Sequence, residues 1–145
     1  MRRQTRFIPE KLSSERDEVM EAVFINHTNH PSAGWSRAQT SAAQKLGKIV
    51  DMTFPDISAD ASEQEVQDLA HKMAQEIAAQ SPVAVLCQGE FTYTYALVHE
   101  LLTQGICVMA ACSERVVDET MEADGSTRRL SRFRFTRFRR YGYRE

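Results

Sequence analysis

Val83-Ala84-Val85-Leu86-Cys87-Gln88-Gly89-Glu90-Phe91-Thr92-Tyr93-Thr94-Tyr95-Ala96-Leu97-Val98 is the stretch that decides how this chain folds. Its first five residues are apolar and follow Ser81-Pro82, the pattern of a strand buried on both faces. Ala96, Leu97, Leu101 and Leu102 then fall on one helical face, so a helix begins near Phe91. Gln88-Gly89-Glu90 makes the turn between them. A helix start carries unpaired N–H groups and a partial positive charge, which attract anions and carboxylates. Glu90 and Thr92 are placed to cap that end or to face a ligand.

Working outward, Glu21 to Asn26 reads as a first buried strand. It runs into His27-Thr28-Asn29-His30-Pro31-Ser32-Ala33-Gly34-Trp35, a loop marked by Pro and Gly. Ser36 suits the N-cap of a helix to about Leu46, with Gly47 at its C′ position. Lys48 to Met52 is a second strand. Ser62-Glu63-Gln64-Glu65 is a capping box, and Val66, Leu69, Ala70, Met73, Ala74 and Ile77 stripe the helix after it. Ile106 to Ala111 is a fourth buried strand, followed by Cys112-Ser113-Glu114-Arg115. Val116–Met121 and about Arg128–Arg140 flank Asp124-Gly125, a hairpin signal. Phe138 breaks the Arg/Phe alternation there, which predicts a bulge near Thr136.

Alternating buried strands and helices imply a Rossmann-like parallel sheet of order 2-1-3-4, with three helices and a C-terminal antiparallel β-hairpin. Residues 1–20 are expected to be a flexible arm, and 21–145 a single domain. In such sheets ligands lie beyond the carboxyl ends of the strands, where the winding reverses. Three polar segments converge there: Asn26 to Ser32, Gln88 to Thr92, and Cys112 to Arg115.

Composition bounds the chemistry. The 145 residues carry a net charge of −2, which gives no overall bias toward nucleic acid, and DNA is not an expected partner. Arginine is nonetheless concentrated at positions 128, 129, 132, 134, 137, 139, 140 and 144. No apolar run reaches bilayer-spanning length and the basic start has no signal core, so a cytoplasmic location is expected. Cys87, Cys107 and Cys112 read as reduced buried thiols. No ligand spacing supports a metal, and the absence of a Walker loop or GxGxxG argues against a dinucleotide coenzyme; no cofactor is expected.

Plainer readings stand beside the functional one. The Asn26–Ser32 segment fits turn chemistry, Glu90 a dipole partner, Ser113 to Arg115 a hairpin start, and the arginines a solvated strand face. His71 and His99 read as surface residues. Trp35, between Gly34 and Ser36, suits a loop position from which its ring can stack on a base. The set that remains, with imidazoles, a carboxylate, hydroxyls, an arginine and helix N–H groups, suits a phosphodiester ligand with ribose hydroxyls.

Asn26 to Ser32 (Asn-His-Thr-Asn-His-Pro-Ser) resembles the strand-then-His-Pro opening of small Rossmann-like proteins encoded beside type III CRISPR systems. Gln88 to Thr92 and Ala110 to Arg115 are similar to motifs of that setting, and the resemblance spans about residues 22–118. It implies relation to CARF-type sensors of cyclic oligoadenylate, including ring nucleases that degrade this antiviral messenger. Cyclic tetra-adenylate is the ligand it favours. The implied mechanism is metal-independent attack of a ribose 2′-hydroxyl on the adjacent phosphorus. Arg115 and the N–H groups after Gly89 would hold the phosphate, with His30 or His27 as acid or base and Glu90 orienting. Asn26, Thr28, Asn29, Ser32, Gln88, Phe91, Thr92, Ser113 and Glu114 would line the ligand, and Trp35 would stack on adenine. A ring of even number has two-fold symmetry, which a C2 homodimer would match. Other readings are a non-catalytic sensor or sequestering module, a nucleoside-processing enzyme, and an RNA-binding scaffold.

Overall fold

A computed structural model describes residues 21–144; the N-terminal arm lies outside the described residues. Strand β1 spans Val23–Thr28, β2 Lys48–Asp51, β3 Ala84–Gln88, β4 Val108–Met121 and β5 Thr127–Arg140. Helix α1 spans Arg37–Gln44, α2 Glu63–Ala78 and α3 Phe91–Thr103, with a 3-10 turn at Ser32–Gly34. They form an α/β fold around one five-stranded mixed sheet of order β2-β1-β3-β4-β5. The first four strands run parallel and β5 is antiparallel to β4. No helix of the described residues is long and apolar enough to cross a membrane.

Local chemistry sets the elements where the sequence placed them. Ser36 Oγ accepts from the Gln39 N–H at 3.2 Å and starts α1. Ser62 and Glu65 close the capping box of α2 in both directions, at 3.1 and 3.0 Å. Gly125, at φ 84°, makes the hairpin turn in the left-handed region that favours glycine. Pairing jumps from Cys112–Arg137 to Ser113–Phe135, so Thr136 is the extra residue of a bulge and Phe138 regains the face of Phe135.

Two boundaries differ from the sequence reading, with consequences. β1 runs two residues past Asn26, so His27 and Thr28 obey strand alternation instead of belonging to a loop. The fourth strand and the first hairpin strand are one continuous 14-residue strand, so the hairpin extends the sheet instead of hanging from it. The sheet is therefore mixed.

Both faces of the sheet are covered by core. Ile25, Val85, Cys87 and Val108 pack under α2 and α3 with Ala70, Ile77, Tyr93, Leu97 and Leu101. Phe24, Ala84 and Leu86 pack on the other face with Ala43 of α1, Trp35 and Phe138. Burial of that order, at about 25 cal/mol per Å² of apolar surface, is what holds two helical layers on one sheet.

Gly47 has no left-handed backbone and is not the helix C′ glycine expected from the sequence. A Cβ there would stand 2.6 Å from the Ala22 carbonyl oxygen, because the chain entering β2 passes against the one entering β1. Backbone cannot yield as a side-chain tip does. Gly47→Ala is expected to destabilise the fold by about 1–3 kcal/mol, read by urea unfolding. An unchanged midpoint would contradict this close approach.

Candidate functional site: a crevice at the carboxyl ends of β1 and β3, beside β4

Alternation along β1 separates residues that are adjacent in sequence. Asn26 and Thr28 belong with the α1 side of the sheet, whereas His27 turns to the α2/α3 side. Thr28 pairs in register with Gln88, so the ends of β1 and β3 lie side by side.

The loop after β1 is tied down by one amide and one carboxylate. Asn26 is buried, and its Nδ2 donates to the His30 carbonyl and to Asp51 Oδ1, both at 2.9 Å. Its Oδ1 accepts from Thr28 Oγ1 at 2.9 Å. Asp51, at the end of β2, also accepts from Ser32 Oγ at 3.0 Å and from the Ser32 N–H at 3.3 Å. Trp35 Nε1 donates to the same His30 carbonyl at 3.1 Å. The His30 N–H donates to Thr28 Oγ1 at 3.1 Å, so its backbone is held by Asn26, Trp35 and Thr28 while its imidazole stays exposed.

Next to it, β3 and β4 part company. Their ladder ends after Leu86–Met109. Gln88 bridges the widening gap with its side chain, Oε1 accepting from the Ala111 N–H at 2.7 Å and Nε2 donating to the Ala111 carbonyl at 3.5 Å. The result is a crevice of about 510 Å³ lined by Thr28, His30, Trp35, Gln39, Gln88, Ser113, Phe133 and Phe135. With Ser36, which also lines it, the crevice offers one imidazole, three hydroxyls, two amides and three aromatic rings. His30 is the one ionisable side chain among those that line it.

Other expected site residues lie elsewhere. His27 is fully buried; its Nδ1 meets the Met52 carbonyl at 2.9 Å and its Nε2 the Tyr93 hydroxyl at 2.8 Å. The first contact makes Nδ1 the donor, leaving Nε2 to accept from Tyr93. Burial holds the imidazole below its ordinary pKa, against a smaller raising effect of the Met52 carbonyl. A neutral, doubly bonded core histidine has no free nitrogen for acid–base work, so its expected catalytic role is withdrawn.

Glu90 is the N-cap of α3. Its carboxylate accepts from the Tyr93 N–H and from Thr92 Oγ1, each at 2.8 Å, and the Tyr93 bond chiefly holds its pKa below the usual carboxylate range. It lines a different cavity, a groove of about 770 Å³ between α2 and α3 with Ile57, Glu63, Phe91, Thr92 and Tyr95. That groove is the larger, but it presents two carboxylates and no cation, which opposes an anionic ligand. Glu90, Phe91 and Thr92 therefore do not share a pocket with His30.

Gly89 is required by packing: a Cβ would fall 2.2 Å from Cζ of Phe54, which is buried against His27 and Tyr93. Glu114 points to the opposite face of β4 and pairs with Arg134. Arg115 lies on the crevice face, one alternation beyond Ser113 and directly across from Phe133. Asn29 and Asn26 line a small neighbouring hollow with Asp51. The sequence reading missed Asp51, whose strand-end position beside β1 was the one available signal; it set Phe133 and Phe135 on one face of a strand whose Arg/Phe alternation suits phosphate and base contact, without placing that face at the crevice. Among the described residues no cluster of His, Cys, Asp or Glu could hold a metal ion.

The fold and crevice define an α/β protein with a polar, aromatic-walled cleft at the point where its strand order reverses. The family model of the uncharacterized protein MJ1673 family matches residues 22–139, and the chain belongs to that family. No curated protein matches it.

The state of His27 fixes a pH dependence. In the unfolded chain an imidazole protonates near about pH 6.5, whereas the folded protein resists protonation until lower pH. The unfolded state therefore binds the extra proton, and stability is lost as pH falls below that value. The slope approaches at most about 1.4 kcal/mol per pH unit. Urea unfolding between about pH 7 and 5 should show this loss, and His27→Gln should flatten it. A wild-type stability that rises on acidification would overturn the assignment.

Proposed function

We propose that the crevice binds a cyclic oligoadenylate and that His30 serves its metal-independent cleavage, in the role of a ring nuclease of type III CRISPR signalling. The observation that carries this reading is the meeting of His30, Trp35, Phe133 and Phe135 with Thr28, Gln88 and Ser113 in one cavity. Aromatic rings stack on bases with little regard to sequence, amides and hydroxyls reach base edges and ribose, and an imidazole moves protons near neutral pH.

The chemistry balances without a cofactor. A ribose 2′-oxygen attacks phosphorus, its proton passes to the His30 imidazole, and the bond to the 5′-oxygen breaks. The leaving oxygen takes a proton from solvent or from a protonated imidazole, and a 2′,3′-cyclic phosphate results. Arg115 stands next along that face, beyond the residues that line the crevice, so the phosphoryl charge is left to the His30 imidazole and to the hydroxyl and amide donors around it.

A second reading has its own support. With His30 as the one titratable group lining the crevice, and Glu90 on the other side of the sheet, a binding module that senses or sequesters the ring needs no further residue.

Incubation with cyclic tetra- and hexa-adenylate in EDTA separates the two readings. Cleavage in EDTA, lowered about 10²–10⁴-fold in His30→Ala with ring binding retained, supports the nuclease. Retention of intact ring supports the sensor. Failure to bind either ring removes both.

A further inference from the structure

Beyond the crevice, β4 and β5 continue as a two-stranded ribbon with none of the described residues over them. Only Val108 and Met109 of β4 pair with β3, yet the antiparallel ladder runs out to Met121–Thr127. From Glu114 to Met121 and from Thr127 to Arg134, every residue is exposed except the half-buried Val116. Val117 is 44% exposed, Phe133 78% and Met121 81%. An isolated two-stranded ribbon is marginal in water, so a stable one needs a partner on a face or an edge. The β5 edge is lined with arginines, which opposes pairing edge to edge with another copy.

Directly paired residues share a face. Read outward from the domain, the crevice-side face carries Arg115 beside Phe133, then Val117 beside Ser131, then Glu119 beside Arg129. We propose that this face packs on the same face of a second copy of the chain, ribbons antiparallel, about a two-fold axis at Val117 and Ser131. The rotation lays β4 over β4 and β5 over β5. It sets Val117 on Val117, Arg115 on Glu119 of the second copy, and Phe133 under Arg129 of the second copy. The pattern is thus self-complementary in apolar contact, ion pairing and cation–π contact. Arg115 has no ion pair among the described residues, and Glu119 and Arg129 pair only with each other, at 3.1 Å.

The other two-fold, with ribbons parallel, is closed by sterics. It would bring together the two sheet faces that carry α1. Packed sheets lie about 10 Å apart, and one helix alone needs about 10 Å. The antiparallel arrangement sends the two domains to opposite ends. It also carries Met121 of each ribbon over Ser113 of the other copy, so that each crevice gains a wall from the second chain.

The test is the mass of the full chain in solution without nucleotide, so its outcome is independent of the ligand proposed for the crevice. Light scattering should give twice 16.5 kDa. Val117→Asp and Phe133→Glu should each weaken association about 100-fold, with circular dichroism unchanged because both side chains are exposed. Arg115→Glu should dissociate the dimer, and Arg115→Glu with Glu119→Arg should restore it. A chain that stays at 16.5 kDa up to about 100 μM overturns the proposal. So does a dimer indifferent to Val117→Asp, or a double reversal that stays dissociated.

Discussion

The amide of Asn26 is the contact from which the crevice hangs. It is buried on a central strand, so its two donors and its acceptor must be satisfied inside the protein. It satisfies them with Asp51 on the neighbouring strand, with the His30 carbonyl, and with the Thr28 hydroxyl. One side chain thereby joins β1 to β2 and folds the following loop back over the sheet edge. Removing it would take one hydrogen bond from the exposed Asp51 carboxylate and one from the His30 carbonyl, and with them the tie between β1, β2 and the loop. The same fixing sets the Trp35 ring, whose indole N–H shares the His30 carbonyl.

A second constraint is the parting of β3 and β4. Parallel strands in the middle of a sheet normally pair along their length, and a gap exposes backbone groups. The Gln88 side chain supplies the missing donor and acceptor at Ala111. The gap can then stay open as a crevice without unsatisfied backbone. Because the strands also alternate, the two faces of the sheet receive opposite chemistry. One has an imidazole, rings and amides, with Arg115 beyond; the other has a groove edged by Glu63 and Glu90. Carboxylates edge the second and not the first.

Much of this was legible in the sequence because local rules and tertiary packing agree. The Ser62 capping box, the Gly125 turn, the bulge at Thr136 and the 2-1-3-4 order each rest on a steric or hydrogen-bonding rule that nothing in the fold overrides. The site was legible only in part. Strand length was the weak point: two more residues in β1 turned His27 from a loop imidazole into a core one. Glu90 follows a strand that reaches the crevice, but its residue is already the cap of α3, and a cap points along its own helix. Phe133 and Phe135 were read as a strand face without a neighbour, since no periodicity tells where a hairpin lies relative to a loop a hundred residues earlier. Gly89 looked like ligand chemistry and proves to be room for the Phe54 ring.

Titration of the isotopically labelled protein with cyclic tetra-adenylate, followed by NMR, tests the location of the site most directly. Trp35 is the chain's one tryptophan, so its indole N–H gives a single unambiguous resonance. Binding in the crevice should shift that resonance together with the Gln88 side-chain amide and the Ser113 backbone, leaving Phe91 and Tyr95 unmoved. Shifts confined to Phe91, Tyr95 and Glu63, with Trp35 unchanged, would contradict it.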